Sequence, residues 1–179
     1  MHIESVVDDI RGLPASAERD AFLAFLRQTG AAALWRDDGG QHLTGSCFVF
    51  SPDLARVLLC FHRKGRFWVQ FGGHLEPRDA TIADTALREA REESGIEDLQ
   101  LWSTEIVDLD RHELHGGFRC SAHWDIAFAA IADPDAALVV SDESEDLAWF
   151  AVGSLPRDTP EGLATRLRAA ARAIARRRS

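Results

Sequence analysis

Residues Gly72 to Ile96 read GGHLEPRDATIADTALREAREESGI, and no other stretch constrains the chain as strongly. Glu89, Glu92 and Glu93 stand at i, i+3 and i+4, so on a helix all three carboxylates share one face. Like charges at that spacing repel by about 0.2–0.5 kcal/mol per pair on an exposed helix. A divalent cation with hard oxygen ligands turns the repulsion into a binding site. Mg²⁺ is the natural candidate, with Mn²⁺ beside it, because it takes a few carboxylates, keeps several waters and bridges to phosphate oxygens.

The flanking residues are suited to hold such a helix. Thr81 followed by Asp84 has the form of a capping box, with Asp in place of the usual Glu or Gln. Ile82, Ala83, Ala86, Leu87 and Ala90 recur with helical period, predicting an apolar face opposite the glutamates that docks on a sheet. Gly95 is placed for a left-handed C-terminal cap. Arg88 is the i, i+4 partner of Glu92 and is predicted to orient one carboxylate while the others bind metal. Upstream, Gly72-Gly73 predicts a sharp turn that brings a carbonyl oxygen, that of Gly73 first, to the metal. His74 follows directly and is a candidate for a supporting or phosphate-contacting role.

This segment resembles the Nudix box, the signature of the Nudix hydrolases: Gly, five residues, Glu, seven residues, then Arg-Glu-aliphatic-x-Glu-Glu-x-Gly-aliphatic. Gly73 takes the first position, and Arg88, Glu89, Ala90, Glu92, Glu93, Gly95 and Ile96 fill the second half. Asp79 stands where the first Glu is expected, and the spacer from Ala80 to Leu87 has eight residues. The resemblance implies an α/β fold, a mixed β-sheet sandwiched between α-helices. It implies hydrolysis of a nucleoside diphosphate linked to another moiety, by water attack on phosphorus. It further implies one more carboxylate from the polar loop Asp142–Asp146, Glu143 first and Glu145 second, as metal ligand or general base. Many members of the family are dimers, so a homodimer is an expectation. Rival readings are a catalytically silent module of this family that senses a nucleotide metabolite, and an isomerase of the same fold with a catalytic Cys–Glu pair.

Composition narrows the rest. A chain of 179 residues, 46% hydrophobic, fits one domain with a sizeable core. A net charge of −9 argues against a general nucleic-acid or membrane-surface binder; the partner that the resemblance implies is a small-molecule diphosphate. No run reaches the ~18 apolar residues of a membrane span. Glu4, Asp8 and Asp9 are opposite in sign to a signal peptide. Cys47, Cys60 and Cys120 sit in apolar stretches without metal-ligand spacing, so buried, reduced thiols in a cytoplasmic protein are expected.

Elements follow from periodicity. Ile3 to Gln28 reads as two helical pieces broken near Gly12 to Pro14, the first part of an N-terminal helical segment over about 1–30. Leu43–Phe50 and Arg56–His62 form a hairpin around Ser51-Pro52-Asp53, and Arg66–Phe71 is one more strand. Leu99–Asp110, Ala122–Ala130 and Leu147–Val152 are strand-like, and Glu161–Arg178 is a final helix. His123 and Asp125 share one face of their strand, with Trp124 on the other; the pair either lines a pocket or is satisfied in place. Arg63, Lys64 and Arg66 make a cationic hairpin tip, with Trp68 and Phe71 after it. These are candidates for phosphate contact and base stacking, or else an ordinary exposed turn and core strand. The arginines of the last helix are expected to be solvated.

Overall fold

The computed structural model describes residues 1–36, 40–114, 120–142 and 144–178. Two helices, α1 (Ile3–Arg11) and α2 (Ala17–Thr29), lead through a 3-10 turn (Gly30–Leu34) into the sheet. The strands are β1 (Gln41–Phe50), β2 (Arg56–His62), β3 (Phe67–Val69), β4 (Phe71–His74), β5 (Asp108–Glu113), β6 (Ala122–Ile131) and β7 (Ser144–Ala151). Helix α3 (Ile82–Ser94) lies between β4 and β5, and α4 (Leu163–Arg178) ends the fold. This is the expected mixed sheet between helices.

Strand β1 organises the sheet. Along one edge it pairs in parallel with β6 over its whole length, from Gln41↔Ala122 to Phe50↔Ile131. Its other edge is divided: Val49 and Phe50 pair with β2, whereas Thr44 to Cys47 pair with β4. Strand β2 diverges from β1 and takes β3 on the freed part of its edge and β7 along the other. The single strand expected over Arg66–Phe71 is therefore two short ones. The chain changes partner at Gln70, leaving β2 for β1. The expected strand Leu99–Asp110 also starts later, at Asp108; before it only Leu101 makes an isolated bridge, to Ala130.

Alternation of side chains assigns the two cores. Leu43, Cys47 and Val49 of β1, with Trp124, Ile126 and Phe128 of β6, face α1, α2 and α3. Ile10, Phe22 and Leu26 of the N-terminal helices join this core. Trp124 stacks on Phe25 at 4.4 Å between ring centroids and meets Phe22 edge-on at 5.0 Å. Phe48 and Phe50 of β1, with Ala127 and Ala129 of β6, face α4, where Leu163, Leu167, Ala170 and Ile174 are buried. Among the described residues no helix is long and apolar enough to cross a membrane.

One arginine of α4 departs from the solvated helix expected. Arg166 lies inward, 2.6 Å from Asp108, 3.0 Å from Asp110 and 3.7 Å from Asp125, with its guanidinium over the Phe48 ring. Those aspartates sit on the α4-facing side of β5 and β6, so a cation on the first turns of α4 is what their burial requires. Burial raises the Asp108 carboxyl above its ordinary range, although Arg166 pulls the other way. Replacing Arg166 by Leu should lower the free energy of unfolding at neutral pH by about 3–5 kcal/mol, because it leaves buried carboxylates without a counter-charge. The deficit should shrink as pH falls and the carboxylates take up protons. Urea unfolding across a pH series measures both; a deficit that ignores pH would show a packing effect alone.

Candidate metal and diphosphate site

Helix α3 forms where its caps predict. The Thr81 hydroxyl accepts the Asp84 amide, and the Asp84 carboxylate accepts the Thr81 amide, closing the capping box. Gly95 ends the helix in the left-handed region, at φ 73°. Gly45 of β1 brings the helix close to the sheet, since a Cβ there would stand 3.0 Å from the Ile82 carbonyl oxygen. Close approach to β1 also means close approach to β4, β1's neighbour.

The three glutamates differ in environment. Glu93 is 5% exposed and accepts the Gly72 amide at 3.1 Å. The Glu89 carboxylate fills the space over Gly73, where a Cβ would lie 2.5 Å from Glu89 Oε1. Glu92 is half-exposed and bonded by Arg78 at 3.1 Å and Arg88 at 3.3 Å. The acidic face thus borders the packing face, which holds Ile82, Ala83, Thr85, Ala86 and Ala90, instead of opposing it. Gly72 and Gly73 correct the sequence reading too: they form no sharp turn but lie in β4, opposite Ser46 and Gly45. They are glycines because Ser46 on one side and Glu89 on the other leave no room for a Cβ.

Arg88 ties these pieces together. Its guanidinium donates to the His74 carbonyl at 2.9 Å, to both oxygens of Asp79 at 3.2 and 3.0 Å, to Glu89 at 2.8 Å and to Glu92 at 3.3 Å. Burial works against its charge, but the bonds to Asp79 and Glu89 outweigh that and raise its pKa further. Asp79 also accepts the Thr85 hydroxyl and the Glu76 amide. Burial pushes the Asp79 carboxyl up, yet Arg88, Glu76 and Thr85 together hold it below the usual carboxylate range.

The remaining candidates divide. Glu143 lies outside the described residues. Glu145 and Asp146 belong to β7 instead of a loop, and Glu145 is ion-paired with Arg66. Arg63 donates to the Ser144 carbonyl, so both arginines of the β2–β3 tip are tied to β7; Lys64 sits on the same tip. Trp68 packs edge-on against Phe61 and Phe150 beside the α4 core, at 5.3 and 4.8 Å. Asp125 and His123 do share a face. Asp125 is buried and accepts from Thr44, Ser46 and Gln70 at 2.9, 2.6 and 3.3 Å, so it is satisfied in place.

Sequence reasoning missed one grouping. All three cysteines are buried, and Cys120 stands beside His42, His74 and His123. The three imidazole centroids lie 5.0–5.2 Å apart. Burial, then His74, His112 and His42, brings His123 down to about 3. Burial, then His42 and Arg36, brings His74 down to about 4. No local spacing announces this set, because its members come from β1, β4, β6 and the segment before β6.

The donor set along α3 and β4 fits a hard divalent cation. Glu89 and Glu93 pack against the two glycines that let the β4 backbone come close, Glu92 borders them, and Arg88 is the cation bonded to Glu89 and Glu92. One consequence concerns acid stability. The Asp79 pKa is lower in the folded chain than its ordinary 3.8, so its ion pair stabilises fully above that value. That contribution is lost as pH falls through the depressed pKa. Asp79→Asn should unfold about 1–3 kcal/mol more easily at neutral pH, with the gap closing in acid. A gap that stays constant in urea titrations down to low pH would contradict the ion pair.

Known proteins give the family and the fold. The family model of the NUDIX domain matches residues 40–173. A hydrolase of the NUDIX family from Clostridium perfringens superimposes with a TM-score of 0.62 at 20% identity, covering 74% of this chain and 97% of that one. An Ap4A hydrolase of C. elegans does so with a TM-score of 0.62 at 16% identity over 74% and 97%. The E. coli dihydroneopterin triphosphate pyrophosphohydrolase gives 0.58 at 18% identity over 75% and 95%. No curated protein matches the chain in sequence. At these identities the solved structures establish the fold, and the match of the family model over three-quarters of the sequence shows that the chain belongs to the Nudix family.

Proposed function

We propose that the protein is a divalent-cation-dependent pyrophosphohydrolase that cleaves a diphosphate linkage in a nucleoside diphosphate joined to another moiety. The observation that carries the reading is the meeting of α3 and β4: Glu89 packs on Gly73 and Glu93 holds the Gly72 amide. Mg²⁺ or Mn²⁺, held by Glu89, Glu92, Glu93 and the Gly73 carbonyl, would offset the negative charge of the bridging phosphates. Arg88 keeps Glu89 and Glu92 in place and is itself a fixed positive charge beside them. Water attacks phosphorus in line while a carboxylate, Glu89 or Glu143, accepts its proton. The phosphoanhydride bond breaks and the leaving phosphate departs with the bonding electrons.

One similar structure, an Ap4A hydrolase, bears a name that fits this class, and another, a dihydroneopterin triphosphate pyrophosphohydrolase, shares the reaction type on a pterin compound. The isomerase alternative needs a reactive thiol. Burial pushes the Cys47 thiol well above its ordinary pKa, and Cys60 and Cys120 are buried as well. We take residues 1–179 as one domain, because Ile10, Phe22 and Leu26 of the N-terminal helices enter the core that α3 also packs on.

Phosphate or monophosphate release from a panel of nucleotide sugars, dinucleoside polyphosphates and nucleoside triphosphates tests the reading, run with Mg²⁺, with Mn²⁺ and with chelator. Glu93→Gln keeps an oxygen acceptor for the Gly72 amide, so the fold should persist while turnover falls by roughly 10²-fold or more. Full turnover by that variant would overturn the metal assignment. Release from no compound, with Mg²⁺ bound, would favour a binding module over an enzyme.

A further inference from the structure

We propose that His42, His74, His123 and Cys120 form a second metal site, for a zinc-class transition ion, on the sheet face opposite α3. One ligand atom from each of the four lies within 4.8 Å of all the others. His42 and His123 are direct neighbours across the parallel β1–β6 pair, and His74 is placed on their side by its pairing with Thr44. Cys120 enters from the segment before β6, where the Ser121 amide bonds the Gly40 carbonyl and pins that segment to the start of β1.

Burial and unmet hydrogen bonding point to a ligand. His42 is 1% exposed, and neither of its ring nitrogens has a hydrogen-bond partner. Nε2 of His74 and Nε2 of His123 are buried and without a hydrogen-bond partner as well. Buried ring nitrogens left without bonds are costly, since each has given up its hydration. A cation that takes one nitrogen from each histidine gives three of the four a partner and leaves the second His42 nitrogen as an N–H. Cys120 is 4% exposed and supplies the one anionic ligand, as thiolate.

The donors select the ion. Three imidazoles and a thiolate are too soft for Mg²⁺ and suit Zn²⁺ in a closed tetrahedron. Zinc–nitrogen bonds of about 2.0–2.1 Å and a zinc–sulfur bond of about 2.3 Å put ligand atoms about 3.3–3.6 Å apart. Atoms as far apart as 4.8 Å must therefore close by roughly 1 Å on binding. With all four positions filled by protein the site is structural. It clamps β1, β4 and β6 at one end, and through His74 it holds the strand that carries Gly72 and Gly73.

Cobalt(II) is the probe, because its spectrum reports ligands directly. Chelator-treated wild-type protein titrated with Co²⁺ should develop intense tetrahedral d–d absorption and a thiolate-to-cobalt charge-transfer band, saturating at one ion per chain. Zn²⁺ should bleach both, and Mg²⁺ should not. Cys120→Ser should lose the charge-transfer band, whereas Cys47→Ser, Cys60→Ser and Glu93→Gln should keep it. A wild-type spectrum with only weak octahedral absorption and no charge-transfer band would refute the site, whatever the variants do. So would a band that survives in folded Cys120→Ser or that disappears in Cys47→Ser or Cys60→Ser.

Discussion

The fork of Arg88 is the interaction on which the site depends. A guanidinium is always charged and offers five donors in a fixed plane. Here they reach a backbone carbonyl of β4, a carboxylate of the connecting loop and two carboxylates of α3. Strand, loop and helix are thereby held in one register around a single cation. A lysine ammonium is a point donor and cannot span these partners. Arg88 also leaves the site electrically incomplete. Its partners Asp79, Glu89, Glu92 and Glu76 carry more negative charge than it neutralises, and Glu93 adds to the excess a turn away. That excess is what the proposed divalent cation would offset.

Local signals in the sequence were read correctly where the physics is local. The Thr81–Asp84 capping box and the Gly95 cap depend on residues within a turn of one another, and both stand as their spacing predicts. The hairpin around Ser51, the break between α1 and α2 and the strand around Trp124 are legible for the same reason. Failures begin where partners come from far away. Gly72-Gly73 looks like a turn because glycine pairs make turns. Its glycines answer instead to Ser46, 26 residues upstream of Gly72, and to Glu89 on another element. Glu93 reads as a surface charge until β4 covers it. Arg166 reads as one of a row of solvated cations until β5 and β6 present it with three aspartates. The grouping of Cys120 with three histidines carries no spacing at all, only the register of β1 with β4 and β6.

Strand β4 separates two kinds of chemistry. Alternation turns Gly73 toward α3 and His74 toward the opposite face. On the first side the donors are carboxylates, one of them half-exposed, a set suited to an ion that keeps some of its water. On the second they are buried imidazoles and a cysteine sulfur, a donor set suited to an ion that stays. The two sets share a backbone, because the His74 carbonyl is itself held by Arg88. Whatever fixes the His74 side chain also fixes the carbonyl end of Gly73, one residue away. Hard and soft donors placed on opposite faces do not compete for one metal.

The alignment of the two faces rests in turn on Asp125. A carboxylate in the middle of a buried strand is expensive unless every lone pair finds a donor. Asp125 finds Thr44 and Ser46 on β1, Gln70 at the point where the chain changes partner, and the charge of Arg166. A slip of β6 by one residue would turn Asp125 into the apolar core beside Phe22 and bring Trp124 under α4. The polar contacts therefore specify register more than they add stability. That register sets His42 opposite His123 and leaves the other edge of β1 free for β4. The geometry of both faces thus follows from a buried aspartate that itself touches neither of the candidate metal sets.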